Sequence, residues 1–250
     1  MLAHTIISEL ETVLDEIYGA NCAVLRTQPV LGGSINRAYR VGTTVGDHFL
    51  KQNGASRYPD MFKYERKGLE LLSDNSKFIV PKPLAIFNVA GQQILLMEWL
   101  EQGYAGPNSH EQFGQRLAQL HRSTQKEFGL EHDNYIGSLP QGNTPHGTWS
   151  EFYWCQRLEP QIRMAKDSGI LSHKMAQGFE RLRVDISEIF PIEPPALLHG
   201  DLWSGNAGYT DNGEPTIFDP AVYYGHREMD IAMMHLFGGF PVRVFQAYNE

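Results

Sequence analysis

The chain has 250 residues, 42% of them hydrophobic and 20% charged, with a formal net charge of −8. That length accommodates a two-lobed enzyme with a substantial core, and the acidic balance argues against a general nucleic-acid binder, whose phosphate-backbone partner demands a basic surface. Two cysteines, Cys22 and Cys155, supply neither a disulfide framework nor metal-ligand spacing.

The first twenty residues lack a basic leader and carry Glu9, Glu11, Asp15 and Glu16, and no apolar run approaches a membrane span. A cytoplasmic monomer with no membrane or nucleic-acid partner is the expectation. Ile6, Ile7, Leu10, Val13, Leu14 and Ile17 recur at helical spacing before Gly19, which predicts an opening amphipathic helix. Alternating stretches at 22–31, 35–41 and 48–53, with a turn over 42–47, predict an antiparallel sheet. Gly32, Gly33 and Ser34 lie between the first two strands, where glycines let backbone amides approach a phosphate, although such pairs are common in plain turns. In the helix that follows, Met61, Phe62, Glu65, Leu69 and Leu72 fall on or near one face, so Glu65 points inward. An inward acid is expensive unless paired, and Lys51 in the third strand is its natural partner. Residues 93–103 read as a buried strand running into a hinge, where Met97 and Leu100 pack near an adenine ring.

Beyond the hinge, helical patterning dominates. Ser109 with Gln112 suggests a capping box, and further helices are expected over 149–168, over 172–190 and from Met229 onward. The architecture is α+β: a β-rich small lobe over residues 1–100, joined by one hinge to a helical large lobe over 101–250.

The large lobe contains HGDLWSGN at 199–206 and FDPA at 218–221. A His-x-Asp, an Asn five residues after the Asp, and a second Asp after a short hairpin make up a phosphoryl-transfer core, in which a carboxylate aligns the acceptor hydroxyl and oxygen ligands hold a divalent metal. Asp201 is the candidate proton acceptor, and Asn206 and Asp219 are candidate Mg²⁺ ligands, brought together by a turn at 211–213. His199 reads as a loop-holding residue, and Asp230 as a carboxylate that caps the loop's amides. Trp203 is a candidate sugar-stacking face, as opposed to plain core; Tyr223, Tyr224 and His226 are weaker candidates for the same wall.

With these residues placed, the chain resembles the fructosamine kinase (ketosamine kinase) family, within the wider aminoglycoside and choline kinase-like group. HGDLWSGN, FDPAVYYGHRE and LFGGF carry the resemblance, together with LGGSIN, MFKYERKGLELL and NYIGSLPQ. It implies a protein kinase-like fold and ATP- and Mg²⁺-dependent phosphorylation of the sugar 3-hydroxyl of a small or protein-borne ketosamine, which frees the amine. Carried over by position, Lys51 and Glu65 place the phosphates, the glycine turn with Ser34 covers them, and Glu98, Trp99 and Leu100 contact adenine. Ser34 stands where many relatives have Cys, and relatives usually continue past the LFGGF helix, so a shortened large lobe is an expectation. A kinase of the same fold acting on an amino sugar or amino alcohol, and a non-catalytic nucleotide-binding scaffold, are the alternatives.

Overall fold

A computed structural model of the chain describes residues 2–31 and 35–250. The turn formed by Gly32, Gly33 and Ser34, expected to cover phosphate, lies outside the described residues. The small lobe is a five-stranded antiparallel sheet of β1 (Val24–Val30), β2 (Arg37–Thr43), β3 (Gly46–Gly54), β4 (Pro83–Val89) and β5 (Gln92–Glu98), in the order β1-β2-β3-β5-β4. Helices α1 (His4–Tyr18) and α2 (Met61–Asn75) cover its two faces. Side chains alternate across a strand, and the packing follows that period. Ile94 and Leu96 of β5 join Leu50 of β3 and Tyr39 and Val41 of β2 under Ile6, Leu10 and Leu14 of α1. Leu95 and Met97 point the other way, onto Phe62 and Leu69 of α2. Burial on both faces explains why this strand reads as an unbroken apolar run. Lys51 pairs with Leu95 in the β3–β5 register, so it shares the α2 face.

The strands differ from expectation in two places. The β2–β3 hairpin is tighter, leaving only Thr44 and Val45 between the strands. Strand β4, absent from the sequence reading, joins β5 through Ala90 and Gly91, both at positive φ (49° and 74°), as a two-residue hairpin turn requires.

The large lobe has one core, in which Phe113, Leu117 and Leu120 of α3 (Ser109–Leu120) meet Trp149, Phe152, Leu197, Leu198, Met234 and Val244. The remaining elements are strands β6 (Asn134–Ile136) and β7 (Leu139–Gln141), helices α4 (Trp149–Tyr153), α5 (Glu159–Asp167) and α6 (His173–Ile189), strands β8 (Ala196–Leu198), β9 (Ala207–Tyr209), β10 (Pro215–Ile217) and β11 (Tyr223–Gly225), and helices α7 (Glu228–Phe237) and α8 (Val242–Asn249). The expected capping box at Ser109 does not form. Its hydroxyl accepts from the Gly106 amide at 2.7 Å and donates to the Gly213 carbonyl, and the Asn108 side chain makes no cap. The single helix expected over 149–168 is interrupted by a π-helical turn at Trp154–Leu158. Pro160 has no N–H to give the Gln156 carbonyl, and the Arg157 guanidinium takes that acceptor at 3.0 Å instead. Among the described residues no helix is long and apolar enough to cross a membrane.

Candidate active site

Between the lobes lies a cavity of about 530 Å³, lined by both. From the small-lobe side, Lys51 enters it almost fully buried and donates to Glu65 Oε1 at 2.6 Å, so the inward acid of α2 meets the strand lysine as its position demanded. The same ammonium reaches across the cleft to Asp219 Oδ1. Burial works against the charge on Lys51, but the Asp219 and Glu65 carboxylates outweigh it and hold the pKa above the ordinary lysine value.

The large-lobe side is built on a backbone loop fixed from beneath. Asp230 of α7, 1% exposed, accepts from the His199 amide at Oδ2 (2.8 Å), from the Gly200 amide at Oδ1 (2.9 Å) and from His121 Nε2 at Oδ2 (3.2 Å). Burial pushes the Asp230 carboxyl up, yet its donors, His121 first, hold it below the usual range. His199 is completely buried; its Nδ1 accepts from the Asp201 amide at 3.3 Å and its Nε2 lies 3.0 Å from the Phe218 carbonyl. Those two partners require the neutral Nε2–H tautomer, and burial lowers the pKa in the same sense. His199 therefore ties the 199–206 loop to the segment that follows β10 and carries Asp219. Gly200, at φ 83°, passes so close to the Ala221 carbonyl that a Cβ would sit 2.0 Å from its oxygen.

Asn206 closes the arrangement. Its Nδ2 donates to the Asp201 carbonyl at 2.9 Å and to Asp201 Oδ2 at 3.0 Å, and lies 3.5 Å from the Asp219 carbonyl. The β9–β10 hairpin returns the chain so that the Phe218 amide bonds the Asn206 carbonyl at 3.0 Å. Asp219 sits at φ 57°, left-handed backbone held at the mouth of the cleft. Burial pushes the Asp201 carboxyl above the usual range, which suits a proton acceptor.

Among the described residues no three His, Cys, Asp or Glu side chains converge to cage a metal. The residues fit a cation of a different kind. With its amide nitrogen committed to Asp201, Asn206 keeps its oxygen as an acceptor, and Asp219 adds a half-exposed carboxylate. One carboxylate and one amide oxygen suit Mg²⁺, which retains water and takes substrate phosphates as its other ligands.

Of the remaining sequence candidates, Glu98, Trp99, Leu100 and Trp203 line the cavity. Trp99 is braced at the rim, with its indole Nε1 donating to Glu101 at 2.7 Å and the Arg40 guanidinium 4.4 Å over its ring. Trp203 is partly exposed and packs on Phe237 at 5.9 Å, so it is not core. Tyr223 and His226 do not belong to this wall. Tyr223 is buried between Phe152 (5.6 Å) and the Arg157 guanidinium (4.1 Å). His226, fully buried, accepts from the Glu228 amide at Nδ1 and faces the Pro191 carbonyl with Nε2, which makes it a brace for the start of α7. Tyr224 pairs with Leu197 and bonds Gly129, also away from the cavity. The sequence reading passed over His121 beneath the loop, and Tyr64 and Tyr135 on the cavity wall. The helical period of 113–121 places His121 on the core-facing stripe with Leu117 and Phe113, a signal that an inward polar group awaits a partner.

Comparison with known proteins agrees with this geometry. A family model described as fructosamine kinase matches residues 6–250. A probable ketoamine kinase of Synechocystis is 36% identical over 243 residues, covering 95% of this chain and 80% of the relative. A chloroplastic protein-ribulosamine 3-kinase of Arabidopsis thaliana is 38% identical over 251 residues, covering 95% and 73%. A crystal structure from Haemophilus somnus assigned as a fructosamine-3-kinase superposes with a TM-score of 0.87 at 30% identity, covering 96% of this chain and 80% of that one. An aminoglycoside phosphotransferase superposes at 0.64 with 16% identity over 96% and 80%, a likeness of fold. The chain belongs to the fructosamine kinase family, phosphotransferases with an alcohol acceptor built on the two-lobed protein kinase-like fold.

Proposed function

We propose that the chain transfers the γ-phosphoryl group of ATP to a sugar hydroxyl of a ketosamine, small or protein-borne, and thereby promotes release of the amine. The relatives named as ketoamine and ribulosamine kinases support the acceptor class. One observation carries the mechanism: Lys51, Asp219, Asn206 and Asp201 line a single cavity together with Glu98, Trp99 and Leu100 of the hinge. In this reading residues 1–100 hold the nucleotide and residues 101–250 supply the catalytic loop. Adenine lies against the hinge, where the Leu100 amide has no hydrogen-bond partner among the described residues. Lys51, fixed by Glu65, exchanges its contact with Asp219 for the α and β phosphates. Mg²⁺, when bound at Asn206 and Asp219, spreads the charge of the phosphate oxygens. Asp201 orients the acceptor hydroxyl and takes its proton, with Asn206 fixing the carboxylate through Oδ2. Trp203 offers its indole face to the sugar.

The test is phosphate transfer from ATP to a fructosyl- or ribulosyl-amine, compared with amino-sugar and amino-alcohol acceptors. Preferred turnover of the ketosamine is expected; preferred turnover of another acceptor would reject the substrate class. Asp201→Asn should lower turnover by about 10²–10⁴-fold with nucleotide affinity retained. Normal turnover in that variant would remove Asp201 from the mechanism.

A further inference from the structure

The cavity that holds the Lys51–Asp219 contact is also lined by Ile35, Tyr64, Asn134, Tyr135 and Gly137. Three of these belong to the β6–β7 hairpin. We propose that this hairpin is the acceptor-side wall of the cleft and that Tyr135 is its specificity-determining residue; the identity of the acceptor rests on the reading above.

The hairpin is fixed from both lobes. Asn134 Nδ2 donates to the Val222 carbonyl at 2.8 Å and Gln141 Nε2 to the Ala221 carbonyl at 3.2 Å, so the hairpin is registered on the chain leaving Asp219. Gln141 and Asn143 both donate to Asn134 Oδ1, at 2.9 and 3.1 Å, and the Arg157 guanidinium holds Asn143 Oδ1 at 2.8 Å. These amides are buried and mutually satisfied, which makes the anchorage rigid. At the other end, the Tyr135 hydroxyl donates to the Pro59 carbonyl of the small lobe at 3.0 Å, and its ring meets Tyr58 edge-on at 6.3 Å. The Tyr135 ring is therefore held on the wall of the cavity that contains Asp201 and Asp219 by contacts to both lobes, a pre-organised surface of the kind binding sites use. Tyr64 lines the same cavity from α2 and is held by stacking on His132 at 4.9 Å.

Charge distinguishes this wall from the proposed phosphate site. Lys51 is the one cation among the described residues lining the cavity, and it is committed to Glu65 and Asp219. Two tyrosines, an asparagine and a glycine on this wall offer a polyhydroxylated acceptor an aromatic face and a shape, and offer a second phosphate no counter-charge.

The experiment measures acceptor KM, kcat and nucleotide Kd for Tyr135→Ala and Tyr135→Phe, with Tyr135→Leu replacing the alanine variant should that one fail to fold. Truncation is expected to raise acceptor KM about tenfold or more with nucleotide Kd unchanged, while Tyr135→Phe, which keeps the ring, stays near the parent. Unchanged acceptor KM on truncation, a parallel loss of nucleotide affinity, or a phenylalanine variant as impaired as the truncation each overturn the assignment. Parent turnover of the ketosamine is measured first. Its absence overturns the acceptor class alone, and the variants are then read with whichever acceptor the parent phosphorylates.

Discussion

Replacing Asp230 with Asn tests whether the catalytic loop is held from beneath. The carboxylate satisfies three donors, two at Oδ2 (the His199 amide and His121 Nε2) and one at Oδ1 (the Gly200 amide). An asparagine oxygen placed at the Oδ2 position still accepts from two of them, but its NH₂ then opposes the Gly200 N–H. The Gly200 N–H and the new side-chain NH₂ are left without partners, each at about 1–3 kcal/mol, so the expected destabilisation is about 2–6 kcal/mol. For a chain of this size that lowers Tm by roughly 4–24 °C. The pH dependence follows from the depressed Asp230 pKa. A carboxyl held below its unfolded value of about 3.9 contributes its full stability above that pH and loses it as pH falls through the folded value. The gap between parent and variant should therefore be constant from pH 7 to 5 and shrink only below about pH 4. Urea unfolding across that range measures both. A loss under about 1 kcal/mol, or a gap that widens on acidification, would refute the reasoning.

Three further outcomes are expected. Gly200→Ala places a methyl 2.0 Å from the Ala221 oxygen at φ 83°, and should cost about 2–4 kcal/mol by urea unfolding; a loss under about 1 kcal/mol would mean that the loop relaxes freely. Glu65→Gln removes the charge that fixes Lys51 on the nucleotide side and should weaken nucleotide binding about tenfold by calorimetric titration, with an unchanged Kd counting against the phosphate-positioning role. Trp203→Ala should raise acceptor KM while nucleotide affinity holds; equal loss of both would remove the indole from the sugar wall.

The parts of this molecule that were legible in its sequence share one property: their partners are implied by local pattern. The period of α2 turns Glu65 inward, and an inward acid beside a strand lysine announces the pair. The DNG turn returns residues 215–219 to the loop that precedes it, so Asn206 and Asp219 meet within a single supersecondary unit. Contacts between residues far apart in the chain left no such trace. Ser109 has the local signature of a cap, but its hydroxyl donates to Gly213, 104 residues away. Tyr223 and His226 stand beside the FDPA motif, yet pairing of β11 with β8 turns Tyr223 into the core, and His226 braces α7 instead. The hairpin at 134–141 shows the same limit from the other side. In the sequence it is only a stretch that carries the family resemblance, and its anchorage becomes visible when Gln141 and Asn134 find carbonyls about eighty residues downstream, just past Asp219. An amide cannot announce a distant acceptor by periodicity, because its hydrogen-bonding capacity is the same in every environment and only the fold selects its partner. The proposed reacting groups Asp201, Asn206 and Asp219 are thus local in the chain, whereas the hairpin proposed to face the acceptor is tied to both lobes.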